Sequence, residues 1–169
     1  MIQAIQRHSL SLAETRAWAL AAIFICGNII LPQLCHLIPQ GGLIWLPIYF
    51  FTLVGAYRYG LGVGLLTAIA SPLVNSALFG MPAPEVVPVI LVKSSLLALC
   101  GALAGARTEG RAKLVGVLLA VVCAQTVGSL AEWAMTGSAT AALQDLRLGW
   151  PGILAQIFGG YAAVKALRR

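Results

Sequence analysis

Residues Val86–Ala106 read VVPVILVKSSLLALCGALAGA, an apolar run long enough to cross a bilayer, with one lysine, Lys93, about a third of the way in. A lysine near the centre of a membrane helix costs roughly 2.5–3.5 kcal/mol on insertion scales, so such residues face a partner or a wet cavity rather than lipid. Ser94, Ala98, Gly101 and Gly105 recur at helical spacing and make one face small enough for another backbone to approach closely. Lys93 borders that face. This run therefore predicts a buried membrane helix whose charge needs a counterpart from another helix.

The rest of the chain fits that reading. Its 169 residues are 60% hydrophobic and 9% charged, too apolar for a soluble domain and typical of a polytopic membrane protein. Alternating patterning is absent, which argues against a β-barrel. The expectation is an all-α integral membrane protein: one compact bundle, a single membrane domain over residues 1–169, with six transmembrane helices. Their expected ranges are about 17–37, 43–57, 60–79, 86–106, 114–135 and 148–167. A short polar lead, residues 1–16, precedes them, and its composition predicts no cleavable signal peptide. Ser11 and Glu14 fit a capping box at the first helix. The second helix is short for a span. Tyr57-Arg58-Tyr59-Gly60 reads as a tight turn at the headgroups, and Pro72 is expected to kink the third helix. The four cysteines read as small apolar core residues.

Orientation follows from the basic residues. Six crossings place Arg7, Arg16, Arg58, Arg107, Arg111, Lys113, Lys165, Arg168 and Arg169 on one side, and only Arg147 on the other. Both termini are thus expected to be cytoplasmic, in the cell's inner membrane. The net charge of +6 follows topology, and no nucleic-acid partner is expected.

Intramembrane polar residues gather toward the outer half: Gln33, His36, Asn75, Lys93, Gln125, Glu132 and Gln156, with Trp45 and Trp133 at outer helix ends. A few polar groups in an apolar cavity are how small-molecule sites look. The candidate ligand-binding residues are Lys93, Asn75, Gln125, Glu132, Trp133, Gln156, Trp45 and His36. Each has a plainer role open to it: ion-pair or amide glue between helices, a belt tryptophan, a headgroup-level histidine. No hydrolase, zinc-protease or paired-acid metal motif is present, so neither an enzyme nor a metal site is expected. No ring of like charge suggests a channel.

Several stretches carry a resemblance. They are Pro47, Leu53-Val54-Gly55-Ala56-Tyr57-Arg58-Tyr59-Gly60, Gly64-Leu65-Leu66, Ser71-Pro72-Leu73, Asn75 and Gly80-Met81-Pro82, with Ala17 and Ala21 as an A-x-x-x-A pair. Together they resemble the substrate-binding S components of energy-coupling factor (ECF) vitamin transporters. The resemblance implies a binder of a vitamin or related micronutrient, with its site at the outer ends of helices 4–6. It implies docking, through Ala17 and Ala21 on helix 1, onto an EcfT-like transmembrane protein. Two cytoplasmic ATPases would use ATP; this chain has no P-loop and needs no cofactor. The cysteine that one cobalamin-binding branch carries between helices 3 and 4 is absent, since that loop reads Gly80-Met81-Pro82-Ala83-Pro84. Thiamine-like and pantothenate-like ligands stay open. The rival reading is a structural or assembly subunit of a larger membrane complex, with Lys93 and Glu132 as internal glue.

Overall fold

A computed structural model of the chain describes residues 9–108 and 112–167. Arg7 and the rest of the lead through residue 8, the charged stretch 109–111 and the terminal Arg168 and Arg169 lie outside the described residues. Among the described residues there is no strand. Four helices among the described residues are long and apolar enough to cross a membrane: α1 (Thr15–Cys35), α4 (Leu61–Phe79), α5 (Val87–Gly105) and α6 (Lys113–Thr136). The surface they turn outward carries large apolar side chains, such as Ile23, Ile30, Leu119 and Leu130. A soluble monomer rarely exposes apolar surface on that scale.

The expected second and sixth helices are interrupted. In place of one helix over 43–57 the chain forms α2 (Gly41–Trp45), a 3-10 turn (Pro47–Tyr49) and α3 (Phe50–Tyr59). The cause is local: Pro47 has no N–H to donate and disfavours helical geometry in the residue before it. Leu46 takes φ +47° instead, which ends α2. After α6 come two single turns, α7 (Ala139–Ala142) and α8 (Gln144–Arg147). The last stretch then runs through α9 (Trp150–Leu154), a π-helical segment (Ala155–Gly159) and α10 (Gly160–Ala166).

The expected turn at Tyr57–Gly60 shrinks to one residue. Tyr57, Arg58 and Tyr59 are helical, and Gly60 alone reverses the chain with φ +93°. A side chain at Gly60 would also strike Ser9, whose Oγ accepts the Leu61 N–H at 2.8 Å and so caps α4. Leu10 N–H bonds the Tyr59 carbonyl at 3.0 Å, closing the end of α3. The capping box forms in part: Glu14 accepts from Ser11 N–H at 3.3 Å, whereas Ser11 Oγ accepts from Ala13 N–H. Regular helix therefore starts later, at Thr15, with Glu14 at the N-cap.

These contacts define one end of the bundle. Tyr57 Oη meets Thr108 Oγ1 there and also bonds the Lys113 carbonyl at 3.3 Å. Arg16, Arg58, Arg107, Lys113 and Lys165 belong to this end by their positions at helix termini. The opposite end holds α2, the 80–86 loop, α7, α8 and the start of α9.

The small-residue stripes are packing faces. Gly64, Ala68, Ser71 and Asn75 of α4 are buried, as are Gly116, Ala120, Ala124 and Gly128 of α6. Ala17 and Ala21 lie on such a face too. Both are buried, at 0% and 1% exposure, in the core with Phe24, Val54 and Tyr59. Their missing side-chain bulk admits neighbouring helices of this chain, and α1 turns Trp18, Ile23 and Ile30 outward instead. The cysteines also divide: all four are free thiols, but Cys26 and Cys123 are exposed rather than in the core.

Close backbone packing also fixes α9. A Cβ on Gly152 would stand 2.4 Å from the main-chain carbon and oxygen of Trp45. Backbone atoms cannot swing aside, so Gly152→Ala is expected to cost about 1–3 kcal/mol. The check is a lowered midpoint in thermal unfolding of the detergent-solubilised variant.

Candidate functional site

Lys93 comes from the second turn of α5, and its stem lies across Gly128 of α6. A Cβ at that glycine would stand 3.2 Å from Lys93 Cγ. The lysine is 5% exposed, and its ammonium is held by two carboxylates: Glu132 Oε2 at 2.8 Å and Asp145 Oδ2 at 2.5 Å. Gln125, two turns before Glu132 on α6, donates Nε2–H to Asp145 Oδ2 at 3.2 Å. Helical spacing alone aligns Gln125 with Glu132. Asp145 is brought in by chain reversal: Gly137, at φ +67°, ends α6, and Ser138 Oγ caps α7 by accepting the Ala141 N–H. The short turns α7 and α8 then carry Asp145 back over the end of α5.

This cluster forms one wall of a cavity of about 490 Å³ at the α2 end of the bundle. Leu43, Leu46, Ile48, Val86, Val89 and Ile90 are among the apolar residues of the remaining lining, with His36, Gln40, Tyr49 and Gln144 as further polar groups. The volume lies in the usual range for small-molecule sites, and so does the mix of apolar walls and few polar groups. Gln40 and Leu46 are the two non-glycine residues with positive φ among the described residues, at 56° and 47°, and both line the cavity. Strained backbone of this kind gathers at ligand sites.

A second polar group is fully buried in the bundle interior. Asn28, fully buried, donates Nδ2–H to Thr52 Oγ1 (3.0 Å) and Ser71 Oγ (3.3 Å), and accepts the Phe51 N–H (3.1 Å). Phe51 is in the first turn of α3, where N–H groups lack helical partners, so Asn28 caps α3 from another helix. Asn75 donates Nδ2–H to the Asn28 carbonyl at 2.9 Å. That carbonyl would ordinarily pair with the N–H four residues on, but the residue there is Pro32, which has none. Asn75 supplies the missing donor. Gln33 Nε2–H donates to Asn75 Oδ1 at 3.4 Å.

The structure thus sorts the eight candidates. Lys93, Glu132 and His36 line the cavity, and Gln125 stands behind the wall, bonded to Asp145. Asn75 lies in the buried amide network, and Gln156 is buried in the π-helical segment. Trp45 and Trp133 are off the lining and exposed. Asp145 and Asn28 were missed from the sequence. Asn28 had a legible signal, a lone amide four residues before a proline within an apolar helix. Asp145 had only its acidity in a polar loop. Among the described residues, no group of three His, Cys, Asp or Glu could hold a metal ion.

No protein-family model matches this chain, and no curated protein or solved structure does either.

Proposed function

We propose that this protein is a membrane-embedded solute binder: the substrate-specificity component of an ECF-type importer, holding a vitamin-like molecule in the cavity beside Lys93. One observation carries the reading. Apart from Arg16 and Lys113 at helix starts, the four long helices contain two charged residues, Lys93 and Glu132. These meet Asp145 on the wall of an otherwise largely apolar cavity. Intramembrane charges are expensive and mark ligand or ion sites by default.

In this reading the chain crosses the cytoplasmic (inner) membrane six times, the two interrupted stretches serving as the second and sixth spans. Both termini are cytoplasmic and the cavity opens outward. Support comes from Arg16, Arg58, Arg107, Lys113 and Lys165, which share one end of the bundle, while Arg147 stands at the cavity end. An EcfT-like protein and two ATPases supply the energy. The burial of Ala17 and Ala21 leaves the docking surface unassigned.

Native mass spectrometry of the gently purified protein tests the proposal. The expected result is a retained small molecule, and thermal stabilisation when that molecule is added back. An empty protein that no member of a vitamin panel stabilises would remove the solute-binding reading. One observation favours the second reading, a scaffold subunit: the ion cluster already satisfies Lys93 twice from within the chain.

A further inference from the structure

We propose that the cavity selects organic monocations, a primary ammonium or a positively charged nitrogen heterocycle on an apolar body, and rejects carboxylates and phosphates. This rests on the reading of the cavity as a solute site. A lysine on the wall would by itself suggest an anionic ligand, but the charge balance reverses that expectation. Lys93 brings one positive charge, and Glu132 and Asp145 bring two negative ones, so the wall carries a net charge of −1. The rest of the lining carries no Asp, Glu, Lys or Arg, and Arg147, also at this end, is not on the cavity wall.

The hydrogen bonds agree. Both contacts to Lys93 use one oxygen of each acid, and Gln125 shares that same oxygen of Asp145. Among the described residues, Glu132 Oε1 and Asp145 Oδ1 accept no hydrogen bond. Two carboxylate oxygens are therefore open to a donor. Lys93 retains one N–H for a neutral acceptor such as a ring nitrogen, carbonyl or hydroxyl.

Three ligand charges have different consequences. A neutral apolar ligand would strip water from an uncompensated negative charge, which is unfavourable. A carboxylate or phosphate would raise the local charge further and compete with Glu132 and Asp145 for Lys93. A cation neutralises the wall and bonds the two open oxygens through charge-assisted contacts. The apolar lining then covers the body.

The test uses the full chain in detergent and three probes of similar shape: 2-(1-naphthyl)ethylammonium, 2-(1-naphthyl)ethanol and 1-naphthylacetate. Binding is followed by titration calorimetry and thermal stabilisation. The ammonium is expected to bind at least about tenfold more tightly than the alcohol, and the acetate more weakly than both. Asp145→Asn leaves Lys93 paired with Glu132, removes the surplus charge, and should abolish the preference for the ammonium. Glu132→Gln, with Asp145 retained, should do the same and guards against misfolding of one variant. Acetate binding as tightly as the ammonium, or a preference that survives both variants, would overturn the charge assignment and leave the solute-binding reading standing. Failure of all three probes at millimolar concentration would count against both.

Discussion

Lys93→Ala should lower the stability of the bundle by about 3 kcal/mol or more, the largest single effect expected of any residue in this chain. The loss comes less from the missing attraction than from what stays behind. Glu132 and Asp145, with side chains 16% and 13% exposed, would face each other without a cation. Breaking one side of a buried ion pair typically costs 3–5 kcal/mol, and residual solvent contact at the two acids places the figure toward the lower end. The triple change Lys93→Met, Glu132→Gln, Asp145→Asn should recover most of it, because no unpaired charge remains. Thermal unfolding in detergent measures both. The triple variant also separates the two functional readings. If the cluster serves a ligand, this variant folds and no longer retains the small molecule. If the cluster is scaffold, the variant keeps whatever assembly the protein enters. Wild-type-like stability of Lys93→Ala would mean that the ion cluster is not closed in the membrane.

Asn28→Ala should cost about 2–4 kcal/mol. The side chain makes three hydrogen bonds in a site with 0% exposure, and its removal strands the Phe51 N–H at the start of α3. Asn28→Asp is expected to be no better, since it keeps the acceptor for Phe51 but brings a charge into a dry interior and loses both donors. Gln33→Ala is the contrast: its single bond is 3.4 Å long and only partly buried, so its loss should stay below about 1 kcal/mol. Denaturation midpoints of the three variants check the order. An Asn28→Ala protein as stable as Gln33→Ala would show that α3 does not depend on this cap.

Both residues show how far the sequence can be read. The lone lysine in Val86–Ala106 signalled that a counter-charge must exist, and Glu132 was on the right face of its helix to supply it. Asp145 was out of reach, because its position depends on how residues 137–147 fold back over α5. Asn75 was legible as an inward-facing polar group. Its partner, the carbonyl left free by Pro32, could be named only once α1 and α4 were seen side by side. The alanine pair of α1 shows the same limit: Ala17-x-x-x-Ala21 specifies a smooth face, and nothing in the spacing says whether another helix of this chain covers it.

The sequence by itself determined the helical class, four of the six long helices expected from it, and the small stripes along which they pack. Those follow from hydrophobic runs and from the 3.6-residue period, which are local properties. It also determined that charge inside the bundle would be scarce. Tertiary structure decided the rest: the inward turn of Ala17 and Ala21, the cap that Asn28 lends to α3, and the second carboxylate on Lys93. Each of these joins residues far apart in the chain or balances a local preference against packing. Their energies exist only when the helices meet.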